Sequence, residues 1–245
     1  MTAPTLSLIV PTLNEAPNLR PLLGRLARAL RGVPHEILIV DDASTDGTAD
    51  VAETLRERFP TLRILRRTRD FGLSASIVDG FRSARGGILG VIDADLQHDP
   101  GALPRLLAAV RDRADIAIGS RYAFEGRTCG WSLIRAAESR LAAFVTHRAL
   151  GIPVRDPLSG FFVLRREVFE SVAARLEGRG WKLLLEILAH VPAARVVEVP
   201  YTFRARTRGR TKMSAKVARV WLAELFRLRS LRRRPVVVPM PGVAQ

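Results

Sequence analysis

The sequence predicts a single α/β domain built on a mainly parallel sheet with helices on both faces. Three observations predict it. Short apolar strands alternate with helix-periodic segments through the front half of the chain. Those strands read as unbroken apolar runs, the pattern of strands covered on both faces. The chain has 245 residues, 47% hydrophobic and 26% charged, with 18 Gly and 15 Pro, which suffices for one sizeable core.

The elements follow in order. Residues 6–11 (LSLIVP) form a first strand, and 18–30 a helix with Leu19, Leu22, Leu23, Leu26 and Leu30 on one face. Residues 36–40 (EILIV) are a second strand ending at Asp41-Asp42. Residues 44–58 read as turn then helix, with Thr45-Asp46-Gly47-Thr48 supplying the cap. A third strand at 62–66, a helix at 74–84 and a fourth strand at 87–93 (GILGVID) follow. Then come a helix at 100–112 and a fifth strand at 115–119. The back half is less regular: a long helix at 131–150, a Pro/Gly loop at 156–162, and helices at 167–175 and 181–190. A strand at 194–200 leads to an Arg-rich loop at 201–212, a helix at 214–231 and a Pro-containing tail at 234–245 expected to be poorly ordered.

Several function classes drop out. Neither of the first two strand-to-helix turns carries G-x-G-x-x-G, and no P-loop occurs, which argues against dinucleotide enzymes and P-loop NTPases. The single cysteine, Cys129, excludes a disulfide framework and a cysteine-built zinc site and has no basis as a nucleophile. No run approaches the roughly 18 apolar residues needed to cross a bilayer, and the opening MTAPTLSLIV is no signal peptide, so a cytoplasmic protein is expected. Lys and Arg number 39 against 24 acidic residues, a net charge of +15, and residues 201–234 hold twelve basic residues against the single acid Glu224. Such a segment marks a polyanionic partner: nucleic acid, phosphates or an acidic membrane face.

Parallel sheets bind ligands beyond the carboxyl ends of their strands, and two strands here end in acids. Asp93, Asp95 and the amide of Gln97 supply hard oxygen ligands suited to Mg²⁺ or Mn²⁺, the alternative being a solvated acidic turn. Asp41-Asp42 suits a ribose or base edge, or else a turn with a helix cap. Arg135 and Ser139, four apart on one helix face, suit a phosphate or a solvated surface. Arg206 and Lys212 sit in a Gly-containing basic loop, and His98, beside the acidic cluster, reads as structural.

Taken in order, these features resemble glycosyltransferase family 2 of the GT-A fold, and within it the dolichyl- or polyprenyl-phosphate mannose synthases. The resemblance rests on PTLNE (11–15), VDDASTDGT (40–48), RDFGLSASIVDGF (69–81), VIDADLQHDP (91–100), GSRY (119–122), RAAES (135–139), DPLSGFFVLRREVF (156–169), GWKLLLEIL (180–188) and VEVPYTFRARTRGRTKMS (197–214). It implies that Pro11, Leu13, Glu15, Val40 and Asp42 line a nucleotide pocket, and that Asp93, Ala94, Asp95 and Gln97 form the diphosphate site. Asp93, Asp95 and Gln97 are the implied metal ligands. Arg121, Arg206 and Lys212 would contact the sugar-nucleotide, while Arg135 and Ser139 would hold the acceptor phosphate. Turnover is expected to depend most on Asp95, Arg121 and Arg206. Leu13 stands where relatives often carry Tyr, and Thr211-Lys212 where they often carry Ser-Lys.

The implied reaction is an inverting, metal-dependent transfer of mannose from GDP-mannose to a dolichyl or polyprenyl phosphate. UDP-glucose as donor, or a soluble acceptor, keeps the same fold and mechanism. A non-catalytic nucleic-acid binder would explain the charge but not the acid-tipped strands, so no nucleic-acid partner is expected. The expected organisation is a catalytic domain at 1–213, a basic amphipathic helix at 214–233 and the tail at 234–245. Trp221 and Phe226 among aliphatic and basic residues suit that helix to peripheral contact with an anionic membrane at its cytoplasmic face. A membrane-anchoring partner protein is compatible with this.

Overall fold

A computed structural model describes residues 4–178, 180, 182–205 and 215–232. The expected roles of Arg206 and Lys212 and the tail at 234–245 lie outside the described residues.

Seven strands form the central sheet: β1 (Leu6–Thr12), β2 (His35–Asp41), β3 (Leu62–Arg66), β4 (Ile88–Val91), β5 (Ile116–Ser120), β7 (Phe162–Arg165) and β8 (Val196–Pro200). Their spatial order is β3-β2-β1-β4-β7-β5-β8. β1 pairs in parallel with β2 on one side and β4 on the other, so the winding direction reverses at β1. A reversal of this kind opens a crevice at the carboxyl ends of the strands.

Side chains alternate across β1, and the core divides accordingly. Leu6, Leu8 and Val10 pack under α1 (Ala16–Ala29), α2 (Thr48–Leu55) and α4 (Leu103–Asp112), which follows a 3-10 turn at Pro100–Ala102. Ile9 and Val40 face the opposite layer, made of α3 (Leu73–Ser83), the end of α5 (Leu133–Leu150), α6 (Arg166–Val172), α7 (Leu183–His190) and α8 (Ala215–Arg232). Both faces are covered, which is why the strands carry no polar alternation.

The sequence pattern left three strands unread. β7 runs antiparallel between β4 and β5. Its four residues FVLR follow the Pro/Gly loop directly and carry no period of their own. The two-residue strands β6 (Arg127–Thr128) and β9 (Thr202–Phe203) pair with each other in a separate ribbon, β9 within the segment read as an Arg-rich loop and β6 in a stretch given no element.

α8 turns its described apolar side chains both ways. Leu225 and Leu228 are buried in the second core cluster and Trp221 packs against it, whereas Phe226 is 74% exposed. Trp221, expected at a membrane surface, therefore faces the protein. Arg227 fastens the helix through Nη1 to Glu177 Oε1 at 2.8 Å and Nη2 to the buried Glu186 Oε1 at 3.0 Å.

Candidate active site

The carboxyl ends of β1, β2 and β4 open onto a cleft of about 530 Å³. Pro11, Leu13 and Glu15 line it beyond β1, Asp42 beyond β2, and Asp93, Ala94, Asp95 and Gln97 beyond β4. Val40 is fully buried in the core, so no side chain of it reaches the cleft. The neighbouring aspartates separate by role. Asp41 is buried and accepts from Thr12 Oγ1 at 3.0 Å and Ser44 Oγ at 2.6 Å, which makes it the strut of the turn. Asp42 faces the cleft, held by the Gly72 amide at 2.8 Å and by a close ion pair with buried Arg67. Gly72 reaches it from φ 137°, backbone that side chains other than glycine's rarely adopt.

Left-handed backbone recurs around this cleft at non-glycine residues: Asn14 after β1, Ala43 after β2 and Leu96 after β4. Such conformations persist where the surroundings over-determine them. At Leu96 the turn brings the Gln97 amide within 3.1 Å of Asp95 Oδ1. The Gln97 side chain is fixed as well. Its Nε2 donates to the Arg204 carbonyl at 3.0 Å, leaving Oε1 as its acceptor, and the Arg204 amide donates to the Gln97 carbonyl at 2.8 Å.

Asp93, Asp95 and Gln97 thus form a set of hard oxygen donors. Among the described residues no three His, Cys, Asp or Glu side chains converge to enclose a metal on their own. Two carboxylates and an amide oxygen fit Mg²⁺ or Mn²⁺ whose remaining positions are filled by phosphate oxygens or water, as these ions prefer.

α5 also lines the cleft and is capped by Ser132, whose Oγ accepts from the Arg135 amide at 3.2 Å. Arg135 and Ser139 both line the cleft. The Arg135 guanidinium lies 4.5 Å from the Trp131 ring centroid, and Ser139 Oγ accepts from the Tyr122 hydroxyl at 2.6 Å.

Arg121 also lines the cleft but is clamped. Its Nε and Nη2 donate to the two oxygens of fully buried Asp156 at 2.8 and 2.6 Å, and its backbone amide donates to the same carboxylate at 3.0 Å. Burial disfavours its charge, yet the Asp156 carboxylate outweighs this and leaves its pKa raised. Lys182, at the start of α7, lines the cleft too, and burial pushes its ammonium down to about 8 against the pull of Asp93 and other carboxylates.

Sequence reasoning missed Arg67, Asp156, Gly160 and Lys182. Three of the four lie in segments that carried the family resemblance (DPLSGFF and GWKLLLEIL), so position in those motifs was the available signal.

Comparison with known proteins gives the family and the fold. Residues 7–173 match the family model Glycosyl transferase family 2. The chain is 42% identical to a dolichol-phosphate mannosyltransferase of Pyrococcus furiosus over 91% of its own length, spanning 63% of that relative. It is 37% identical to a dolichol-phosphate mannosyltransferase of Saccharomyces cerevisiae, covering 91% of this chain and 86% of that one. An undecaprenyl-phosphate mannosyltransferase of Micrococcus luteus is also 37% identical, over 85% of this chain and 87% of the other. Among solved structures, glucosyl-3-phosphoglycerate synthase of Mycobacterium tuberculosis superposes with TM-score 0.71 at 18% identity, covering 96% and 82% of the two chains. A mannosyltransferase of Pyrobaculum calidifontis in complex with GDP-Man and Mn²⁺ gives 0.66 at 19% identity, over 98% and 67%. The chain has the GT-A fold and belongs to glycosyltransferase family 2.

Proposed function

We propose that this glycosyltransferase moves mannose from GDP-mannose to the phosphate of a dolichyl or polyprenyl lipid, with inversion and with Mg²⁺ or Mn²⁺. One observation carries the reading. A single cleft holds the nucleotide-side carboxylates, the acidic cluster and, on the facing helix, Arg135 and Ser139. Donor and acceptor phosphates can therefore meet in one cavity. Three relatives at 36–42% identity bearing the name dolichol-phosphate mannosyltransferase support the choice of sugar and lipid.

Pro11, Leu13, Glu15 and Asp42 bind the nucleoside. Asp93, Asp95 and Gln97 hold the cation, which neutralises charge on the departing diphosphate. Arg135 and Ser139 orient the acceptor phosphate, with Arg121, Arg206 and Lys212 assigned to the sugar-nucleotide. A phosphate monoester is largely ionised near neutral pH, its second pKa being about 6. The acceptor oxygen therefore needs no strong base, and positioning and charge neutralisation are what the residues contribute.

Residues 1–213 form the catalytic unit in this reading, and the helix at 214–233 joins α5 in peripheral contact with the cytoplasmic face of an anionic membrane. Leu133 (89% exposed), Ile134, Leu141 and Phe144 on α5 and Phe226 on α8 are exposed apolar side chains, and no described helix is long and apolar enough to cross a membrane. Arg140 and Arg148 stand among the α5 residues, a composition suited to a headgroup layer.

The test is transfer of labelled sugar into an organic-extractable lipid, with polyprenyl phosphate, Mg²⁺, and GDP-mannose or UDP-glucose in parallel, with and without EDTA. EDTA-sensitive labelling from GDP-mannose is expected. Labelling from UDP-glucose alone overturns the donor, and none from either overturns the acceptor.

A further inference from the structure

His98 sits directly behind the acidic cluster and is 4% exposed. Three rings enclose it: Phe161 with centroids 5.4 Å apart, Tyr201 stacked at 5.7 Å, and Phe203 edge-on at 5.0 Å. Both ring nitrogens are engaged. Nε2 lies 3.2 Å from Asp93 Oδ2, and Nδ1 lies 2.8 Å from the hydroxyl of Tyr201, itself 4% exposed.

The chemistry of the partners orders the protons. A carboxylate only accepts, so Nε2 is the protonated nitrogen. In the neutral ring Nδ1 then accepts, and the Tyr201 hydroxyl donates to it. Asp93 is confined from a second side. A Cβ on Gly160 would stand 2.4 Å from Asp93 Oδ2, so the carboxylate occupies space that only glycine leaves open.

We propose that His98 and Tyr201 are positioning residues for the divalent cation: the Tyr201 hydroxyl holds the imidazole in place at Nδ1, and Nε2–H holds the Asp93 carboxylate in the orientation the cation needs. Partners of this type, hydrogen-bonded to a ligand rather than to the metal, typically change metal affinity about 10- to 100-fold when removed. Without the hydroxyl, Nδ1 loses its buried partner and the imidazole loses the contact that sets its orientation toward Asp93. The proposal rests on the metal-dependent reading given above.

The test is Mn²⁺ binding to the full-length protein in the presence of GDP, read from the free-Mn²⁺ signal in electron paramagnetic resonance, with melting temperature as the control for folding. Y201F is expected to raise the Mn²⁺ dissociation constant about 10-fold, within the range for such partners, and H98A at least as much. H98Q presents a side-chain N–H in the place of Nε2–H and restores most of the affinity. Because glutamine has no second ring nitrogen for the Tyr201 hydroxyl to hold, Y201F in the H98Q background adds no further loss, a result that a purely structural role for Tyr201 does not produce. Equal Mn²⁺ affinity in wild type, Y201F and H98A overturns the proposal. So does a Y201F effect of the same size in both backgrounds. Absence of Mn²⁺ binding to the wild-type protein would instead overturn the metal-site reading beneath it.

Discussion

Replacing Asp156 with alanine isolates the interaction that anchors the cleft wall. Asp156 is fully buried, and its carboxylate takes two guanidinium hydrogen bonds and one backbone hydrogen bond from Arg121. The side chain of Arg121 is only 11% exposed. Asp156→Ala leaves that cation buried without its counter-charge, a loss that typically costs about 3–5 kcal/mol. For a chain of this size each kcal/mol shifts the melting temperature by about 2–4 °C. The expected drop is therefore about 6–20 °C, read by circular dichroism at 222 nm. Removing the cation as well identifies the cause. Arg121→Met combined with Asp156→Ala is expected to be more stable than Asp156→Ala alone, since the double variant no longer buries an unpaired charge. A melting point for Asp156→Ala within about 2 °C of wild type, or a double variant less stable than the single, would refute the reasoning.

Four further variants, carrying five substitutions, probe the cleft and its surroundings. Gly160→Ala forces Asp93 Oδ2 away from the 2.4 Å approach of the new Cβ. A displacement near 1 Å is expected to lower kcat/KM about 100-fold with little change in melting temperature, and wild-type turnover would exclude the contact. Arg135→Ala removes a charged hydrogen-bond donor, so KM for the lipid phosphate is expected to rise about 10- to 100-fold while KM for the donor stays put; equal effects on both would reassign the residue. For Lys182, burial pushes the ammonium down to about 8 in the folded chain, against an ordinary 10.5. The unfolded chain therefore binds the extra proton between those values, and stability at this site rises with pH across that window. Lys182→Met is accordingly expected to be more stable than wild type at pH 7, with the difference shrinking by pH 10; a difference independent of pH contradicts it. Phe144→Ser with Phe226→Ser should reduce co-sedimentation with anionic liposomes, and unchanged binding would remove these side chains from the membrane surface.

The parts of the site that sequence disclosed are those built locally. The acids at the ends of β2 and β4 are adjacent to apolar runs, and Arg135 and Ser139 are one helical turn apart. The parts that stayed hidden depend on partners far along the chain: Arg121 finds Asp156 35 residues on, Arg67 reaches back 25 residues to Asp42, and His98 meets Tyr201 103 residues later. No periodicity encodes such pairings. The antiparallel β7 was illegible for a related reason. Four apolar residues bounded by a Pro/Gly loop carry neither direction nor neighbour, both of which are set by the gap between β4 and β5.

The net charge of +15 reads differently once these pairings are known. Arginines are the natural choice for binding two polyanions in one pocket. In the fold, Arg67 is held between Asp42 and Asp79, and Arg121 between Asp156 and a set of aromatic rings. Both guanidiniums act as struts that fix a carboxylate or a wall, and their charge is largely cancelled where it stands. The cationic side chains left on the described cleft wall besides Arg121 are Arg135 and Lys182. Arg135 is steadied by the Trp131 face instead of by a carboxylate, which keeps its charge available to an incoming phosphate. Arg135 stands on α5 whereas the acidic cluster follows β4, so the described cleft wall offers an incoming anion a cationic contact on α5. In the proposed reading the acceptor phosphate is therefore drawn to α5, and a cation at Asp93, Asp95 and Gln97 would neutralise the donor diphosphate.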